Sequence, residues 1–141
     1  MAALTADLNY KRRNINGMTT VEGIVSSGVQ VYKGALLCWN SSHELILGAD
    51  LGAAGNFAGI ATENVLGDGV KTCLCEANLE VLLVCEAGVT YALLDQTVYI
   101  MNTGGITNVS TVGPACGQLK ELPSASTAWV LLGACGLPVN T

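Results

Sequence analysis

Short runs of alternating apolar and polar residues, separated by glycine and small polar residues, dominate the chain after residue 20. In the run Leu79 to Glu86, apolar side chains fall at every second position, which is the period of a β-strand with one buried face. The preceding run, Val70 to Glu76, alternates in the same way. Because Ala77-Asn78 separates the two runs and asparagine favours turns, we predict a β-hairpin there.

The other strand candidates share this composition and are bounded by turn-forming residues. They begin at Val21 and continue with Val29 to Trp39, read as one strand or as a pair bent at Gly34, and with His43 to Leu47, Phe57 to Val65, Val98 to Met101, Ala115 to Leu122 and Ala128 to Ala134. Roughly eight short strands with frequent turns predict an all-β protein, either a compact small barrel or a sandwich of short antiparallel strands. The alanines between Ala49 and Ala61 leave room for one short helical turn, and we find no internal repeat.

Residues 1–20 differ from the rest of the chain because they lack a sustained period. Asn14, Asn16 and Gly17 favour irregular backbone. We therefore predict an extended N-terminal arm over residues 1–20, ordered only where it docks, followed by a single β-rich domain over residues 21–141. A chain of 141 residues has the usual length of one domain.

The composition predicts a surface that partners cover. Half of the residues are hydrophobic and 12% are charged, whereas soluble proteins carry about 25% charged residues. We therefore expect a homo-oligomer. The most apolar stretch, Leu79 to Met101, contains Glu80, Glu86 and Asp95, which are costly inside a bilayer, so we expect no membrane segment. Ala2 to Leu8 is too short and too polar for a signal-peptide core.

The six cysteines are expected to be mostly buried thiols formed in a reducing cytoplasm, because the chain has ample apolar residues to fold without disulfides. The pair Cys73 and Cys75 is the candidate for a metal or redox site. Structural zinc sites use wider gaps and a second ligand pair, and both thiols would lie on one strand face as small buried groups. We therefore predict no metal and no other cofactor.

No set of residues in the sequence predicts catalysis, and we expect that the protein is not an enzyme. The single histidine, His43, precedes Glu44, but neighbours along a strand point to opposite faces, so a surface histidine in a turn is the favoured interpretation. The glycine-containing segments 52–55 and 67–69 lack the lysine of a phosphate-binding loop and are predicted to be turns.

Three of the six basic residues are consecutive, at Lys11, Arg12 and Arg13 after Tyr10, whereas the net charge is −5. A basic segment therefore precedes an acidic body. This segment can touch nucleic acid through phosphate contacts and stacking or dock on an acidic protein surface. We favour protein docking, because an acidic body repels phosphate.

Five segments resemble a known family when they are taken in order. They are Val31-Tyr32-Lys33-Gly34-Ala35-Leu36-Leu37, Phe57 to Val65, Gly69-Val70-Lys71-Thr72 with Glu86-Ala87-Gly88, Leu94 to Ile100, and Val112 to Leu119. This order resembles the head decoration, or capsid cement, proteins of tailed bacteriophages. The resemblance covers residues 29–133 and rests on glycines and alternating apolar residues.

The resemblance implies a virion protein, made in the host cytoplasm, that binds the major capsid protein on the outer surface of the mature head, often as a trimer. It implies no membrane partner and no direct contact with nucleic acid. On this hypothesis Tyr10 to Arg13 form a capsid-binding arm, and Trp39 and Trp129 are candidate interface anchors, with core packing as the favoured alternative for each. A tail-tube, tail-tip or head-to-tail joining protein is the second hypothesis, and a cysteine-based metal or redox module is the third.

Overall fold

A computed structural model describes Leu4, residues 6–50 and residues 55–133 of the chain. The described residues contain thirteen β-strands, three short 3₁₀ turns (Ile15–Gly17, Gly48–Asp50 and Tyr91–Leu93) and no α-helix. The strands are β1 (Arg12–Arg13), β2 (Thr19–Ile24), β3 (Gln30–Val31), β4 (Leu36–Trp39), β5 (Leu45–Leu47), β6 (Asn56–Ala61), β7 (Val65–Leu66), β8 (Thr72–Ala77), β9 (Glu80–Val84), β10 (Thr97–Ile100), β11 (Ile106–Thr107), β12 (Ala115–Glu121) and β13 (Thr127–Leu132). None of the helices in the described residues is long and apolar enough to cross a membrane.

The strands form two large antiparallel sheets and one small ribbon. The order is β1-β9-β13-β12-β10-β11 in the six-stranded sheet and β2-β8-β6-β4-β5 in the five-stranded sheet, while β3 and β7 pair with each other. The predicted all-β fold is confirmed, and of the two predicted architectures the structure is a sandwich and not a closed barrel.

The hydrophobic core lies in two layers, one on each face of the five-stranded sheet. Between the two large sheets, Val81 and Val130 pack with Leu36 and Ile60 in one buried cluster. On the other face, Leu37 belongs to a second cluster that the β3–β7 ribbon helps to cover. Because both faces of the five-stranded sheet are covered, every residue of β6 after its first is buried.

The two large sheets repeat one arrangement of five strands. The order β2-β8-β6-β4-β5 corresponds to β9-β13-β12-β10-β11, with the same pairings between strands. One row of paired residues across each sheet shows the common register. In the first sheet the row is Thr20, Glu76, Ile60 and Leu36, and in the second it is Glu80, Leu131, Gln118 and Thr97, in the same strand order. A β-bulge lies after Leu37 in the first sheet and after the equivalent Val98 in the second. The two sheets therefore repeat in backbone arrangement, although the sequence shows no internal repeat of residue types.

Both sheets curl in the same way. A parallel bridge joins Val25, just after β2, to Leu45 of β5, and an equivalent bridge joins Cys85, just after β9, to Ile106 of β11. The curl of the first sheet thus brings one end of its two outer strands together, and it leaves a cleft beside that end, which is described below.

The predicted hairpin between the runs 70–76 and 79–86 is wrong, because β8 and β9 belong to different sheets. Asn78 lies between them in a left-handed conformation with φ of 60°, and its N–H donates to the carbonyl of Leu132. The alternation predicted one buried face of each run correctly, with Cys73 and Cys75 in the first and Leu79, Val81 and Leu83 in the second, but Glu76 and Glu80 on the opposite faces are buried as well. The alternation does not indicate to which of the two sheets each run belongs.

The other predicted strands are found with shifted ends. The run Val29 to Trp39 is a strand pair bent at Gly34, which has φ of 94°. The run Phe57 to Val65 divides into β6 and β7. The last predicted strand corresponds to β13, and its final residue, Ala134, lies outside the described residues.

Candidate functional site

Arg13 and Trp129 meet on the outer face of the six-stranded sheet. Strand β1 adds to the edge of β9, with Arg13 opposite Glu80. The Cζ atom of Arg13 lies 4.2 Å from the centroid of the Trp129 ring, a cation–π distance. Its Nε donates to Glu80 Oε1 at 2.7 Å and its Nη1 to Glu121 Oε1 at 2.6 Å. Arg13 therefore holds the indole and two carboxylates in one arrangement.

Tyr10 and Arg12 form a second set of contacts beside the first. The hydroxyl of Tyr10 donates to Glu76 Oε1 at 3.1 Å, and Arg12 Nη1 donates to Glu76 Oε2 at 2.7 Å. Burial and the neighbouring Glu76 carboxylate raise the pKa of Tyr10 above its usual value, so its hydroxyl stays protonated and donates. The side chains of Glu76 and Glu80 are 12% and 11% exposed, and buried charges of this kind need the paired arginines.

Described residues of the predicted N-terminal arm contact the rest of the chain. Arg12 and Arg13 pair with carboxylates of the same chain, and docking of this segment on another protein stays a prediction. The boundary at residue 20 also falls inside β2, which begins at Thr19. Lys11 contributes its backbone carbonyl, which accepts the N–H of Leu82, and its side chain is exposed. The role of Tyr10 to Arg13 in binding a capsid stays a prediction.

Apolar side chains surround Trp129 on the same face. On β9, Val81 and Leu83 point into the core, so the intervening Leu82 and the following Val84 point outward. Leu82 lies directly opposite Trp129 in the ladder, and Val84 is 62% exposed.

We call the set Arg13, Leu82, Val84, Trp129 and Leu131 the Trp129 face. It contains a tryptophan and an arginine, residue types that are enriched where proteins bind one another, and its aliphatic side chains add apolar area around them. Leu82, Trp129 and Leu131 are each half-buried, so they keep accessible surface while the sheet fixes their positions.

Trp39 lies away from this face, at the end of β4 in the other large sheet. It is half-buried and packs against the cluster that the β3–β7 ribbon covers. The structure thus brings Arg13 and Trp129 together, places Tyr10 and Arg12 at Glu76 of the other large sheet, and separates Trp39 from both sets of contacts.

The cysteines belong to the core. The five that the structure describes are all buried, as predicted, and Cys135 lies outside the described residues. Burial raises the pKa of Cys116, whereas a hydrogen bond with Cys75 lowers the pKa of Cys73. Within residues 6–50 and 55–133, no three His, Cys, Asp or Glu side chains form a group that could hold a metal ion.

The predicted turns are found where the structure describes them. His43 is exposed in the turn between β4 and β5, with φ of 59°. In the turn at residues 67–69, hydrogen bonds from the backbone N–H groups of Lys71 and Val70 lower the pKa of Asp68. Of the segment 52–55, only Gly55 is described.

Sequence reasoning missed the acidic half of the site. Glu76 and Glu80 stand in otherwise apolar runs, and a carboxylate at such a position needs a partner when its face is covered. This need for a cationic partner was the available signal, and the consecutive basic residues 11–13 were the candidates for that partner. In comparison with known proteins, no family model matches the chain and no curated protein matches it significantly.

Proposed function

We propose that this protein is a virion structural protein, namely a decoration or cement protein that binds the outer surface of the major capsid shell of a tailed bacteriophage and stabilises the mature head. The observation that carries the proposal is the Trp129 face. An accessible tryptophan held by an arginine and flanked by aliphatic residues on a rigid sheet is suited to bind another protein. The order of glycine-containing and apolar segments, which resembles decoration proteins, supports the choice of partner.

The fixed position of Trp129 favours binding at low entropic cost. Arg13 contacts the ring and is itself held by Glu80 and Glu121. Side chains that are ordered before association lose less freedom when the complex forms. The same contacts keep β1 on the sheet, where it forms the rim of the binding face.

Stabilisation of the head follows from mass action. A protein that binds the mature shell and not its separated subunits shifts the equilibrium towards the shell. Each contact can be weak, because neighbouring copies joined in an oligomer bind together with increased avidity. The trimeric state that we propose rests on the family resemblance and not on a residue pattern.

The proposal is tested by adding purified protein to heads that lack it and measuring occupancy by sedimentation and gel densitometry. Val84→Asp places a charge on the Trp129 face, whereas the matched control Val70→Asp places one on another surface, at a valine that is 76% exposed. We expect wild-type and Val70→Asp proteins to bind and to raise the temperature at which heads lose DNA. We expect Val84→Asp to lose most of its occupancy.

Three outcomes contradict the proposal. Failure of the wild-type protein to bind heads would remove the decoration function, and assembly of the isolated protein into rings or tubes would favour a tail-tube, tail-tip or joining protein instead. Equal occupancy of the Val84 and Val70 variants would show that the Trp129 face is not the contact surface.

A further inference from the structure

A cleft of about 710 Å³ lies beside the curled end of the five-stranded sheet. This volume falls in the range of small-molecule sites, roughly 300–1,000 Å³. Its polar and aromatic lining residues are Glu22, Trp39, Asn40, His43, Asn56 and Thr72. They come from β2, β4, the turn after β4, β6 and β8, so the cleft is built by the fold and not by one loop.

The position of Trp39 depends on Gly23. A β-carbon on Gly23 would lie 2.5 Å from Cη2 and Cζ3 of the indole, which is too close for any other residue without movement. The six-membered ring of Trp39 therefore rests against the backbone of β2. In the six-stranded sheet the equivalent residues are Leu83 and Ile100, since the two sheets share one register. The pair Gly23 and Trp39, in place of a leucine and an isoleucine, gives the cleft of the first sheet an aromatic surface.

Four polar residues of the cleft are also specific to the first sheet, whereas Thr72 has the equivalent Thr127 in the second. The equivalent pairs, taken from the shared register and turn hydrogen bonds, are Glu22 and Leu82, Asn40 and Met101, His43 and Gly104, and Asn56 and Pro114. The same backbone arrangement thus forms with apolar or small residues at all four positions. In the first sheet Asn40 Oδ1 accepts the N–H groups of Ser42 and Glu44 in the turn, and Glu22 accepts the Thr72 hydroxyl, so Asn40 also has a local structural role.

His43 adds an independent observation. Its φ of 59° is left-handed, a conformation that glycine adopts without strain and other residues rarely adopt. The equivalent Gly104 has φ of 90°. The first sheet therefore has an imidazole at the cleft in a position where the second sheet forms the same turn with glycine. Backbone strain from a left-handed residue other than glycine is concentrated at binding sites.

We propose that this cleft binds a neutral saccharide, with one apolar face of a sugar ring against Trp39 and sugar hydroxyls bonded to Glu22, His43 and Asn56. An aromatic surface bordered by a carboxylate, an imidazole and an amide matches the alternating CH and OH groups of a sugar. The described lining contains no lysine or arginine, and Glu22 repels phosphate. Saccharide binding goes beyond the proposed capsid function and does not depend on it.

The test starts from a panel of immobilised neutral oligosaccharides containing glucose, galactose, mannose, rhamnose or N-acetylglucosamine. The best-bound oligosaccharide is then titrated into ¹⁵N-labelled full-length protein. We expect the indole N–H of Trp39 and the amides of Glu22 and His43 to shift, while the indole N–H of Trp129 stays unchanged. The two tryptophans therefore serve as site and internal control in one spectrum.

Substitution by the residues of the second sheet tests the roles of the side chains. His43→Gly and Glu22→Leu should each weaken binding roughly tenfold, as expected for loss of a hydrogen bond to a ligand, with the spectrum of the folded protein retained. Asn78→Gly is the matched control, because Asn78 is also left-handed, with φ of 60°, but lies outside the cleft. It should bind like the wild type.

Three results would overturn the proposal. They are the absence of any shift at Trp39 with every oligosaccharide up to about 10 mM, unchanged affinity of His43→Gly and Glu22→Leu, and preference for a phosphorylated sugar or a peptide over the neutral sugars.

Discussion

Removal of the Arg13 side chain should destabilise the protein far more than removal of an ordinary surface cation. Arg13→Ala deletes the ion pairs with Glu80 and Glu121 and the contact with the Trp129 ring. It leaves Glu80, whose side chain is 11% exposed, with the amide of Asn14 as its remaining side-chain hydrogen-bond donor in the described structure.

The expected loss follows from the burial of each partner. A hydrogen bond to a charged group such as Glu80 is worth about 1.5–3 kcal/mol. Glu121 is 50% exposed, so this pair adds less than about 1 kcal/mol, and the cation–π contact with Trp129 adds about 0.5–1 kcal/mol. Because these contacts share one side chain they are not additive, and we expect a total loss of about 2–4 kcal/mol in the free energy of unfolding.

The assay is urea unfolding followed by tryptophan fluorescence and circular dichroism. Lys120→Ala is the control, because Lys120 has one ion pair, with Asp95, whose side chain is 73% exposed. This variant should lose less than about 1 kcal/mol. A double-mutant cycle with Glu80→Ala isolates the buried pair. Equal losses in Arg13→Ala and Lys120→Ala, or no coupling between Arg13 and Glu80, would refute the argument.

Three further predictions follow from backbone packing, the turn carboxylate and the buried thiols. Gly117→Ala should lower the free energy of unfolding by about 1–3 kcal/mol, because the added β-carbon would overlap a carbonyl oxygen of the neighbouring strand. Gly17→Ala is the control, because a β-carbon at Gly17 has room. Chemical denaturation should give a larger loss for the Gly117 variant, and equal losses would contradict the packing argument. The pKa of Asp68 is lowered in the folded protein, so its carboxylate stabilises the fold at pH values above the unfolded pKa of about 3.9, and this stabilisation is lost as the pH falls through the folded pKa. Asp68→Asn should therefore flatten the acid limb of a plot of unfolding free energy against pH. An unchanged acid limb would argue against this role of Asp68. Metal analysis of anaerobically purified protein should find no stoichiometric zinc, because Cys73 and Cys75 are enclosed in an apolar cluster; zinc that is lost when both become serine would support the metal-module hypothesis.

Burial was the part of the fold that the sequence predicted best. The alternation in the run Leu79 to Glu86 identified Leu79, Val81 and Leu83 as one buried face, and each is at most 5% exposed. The same alternation did not distinguish a hairpin from a chain that crosses between sheets at Asn78, because a period of two specifies a face and not a partner strand.

The candidate site was predicted in part. The basic segment and Trp129 were identified from residue type, but their contact was not. Arg13 is separated from Glu80 by 67 residues and from Glu121 by 108, and no local pattern reports a pairing over that distance.

The structural repeat was not detectable from residue types, because the two large sheets face different surroundings. Positions such as Gly23 and Leu83, which are equivalent in register, therefore carry different side chains. What the sheets share is backbone geometry. Gly59 and Gly117 occupy equivalent positions beside a bulge, and at each a β-carbon would collide with a carbonyl oxygen of the adjacent strand.

We propose that the protein decorates a capsid through the Trp129 face, and image reconstruction of particles that carry the chain would locate this contact. At a resolution sufficient to trace side chains, we expect density on the outer shell, with Trp129 and Val84 against the major capsid protein. Density confined to the tail or neck, or the absence of the chain from particles, would contradict it.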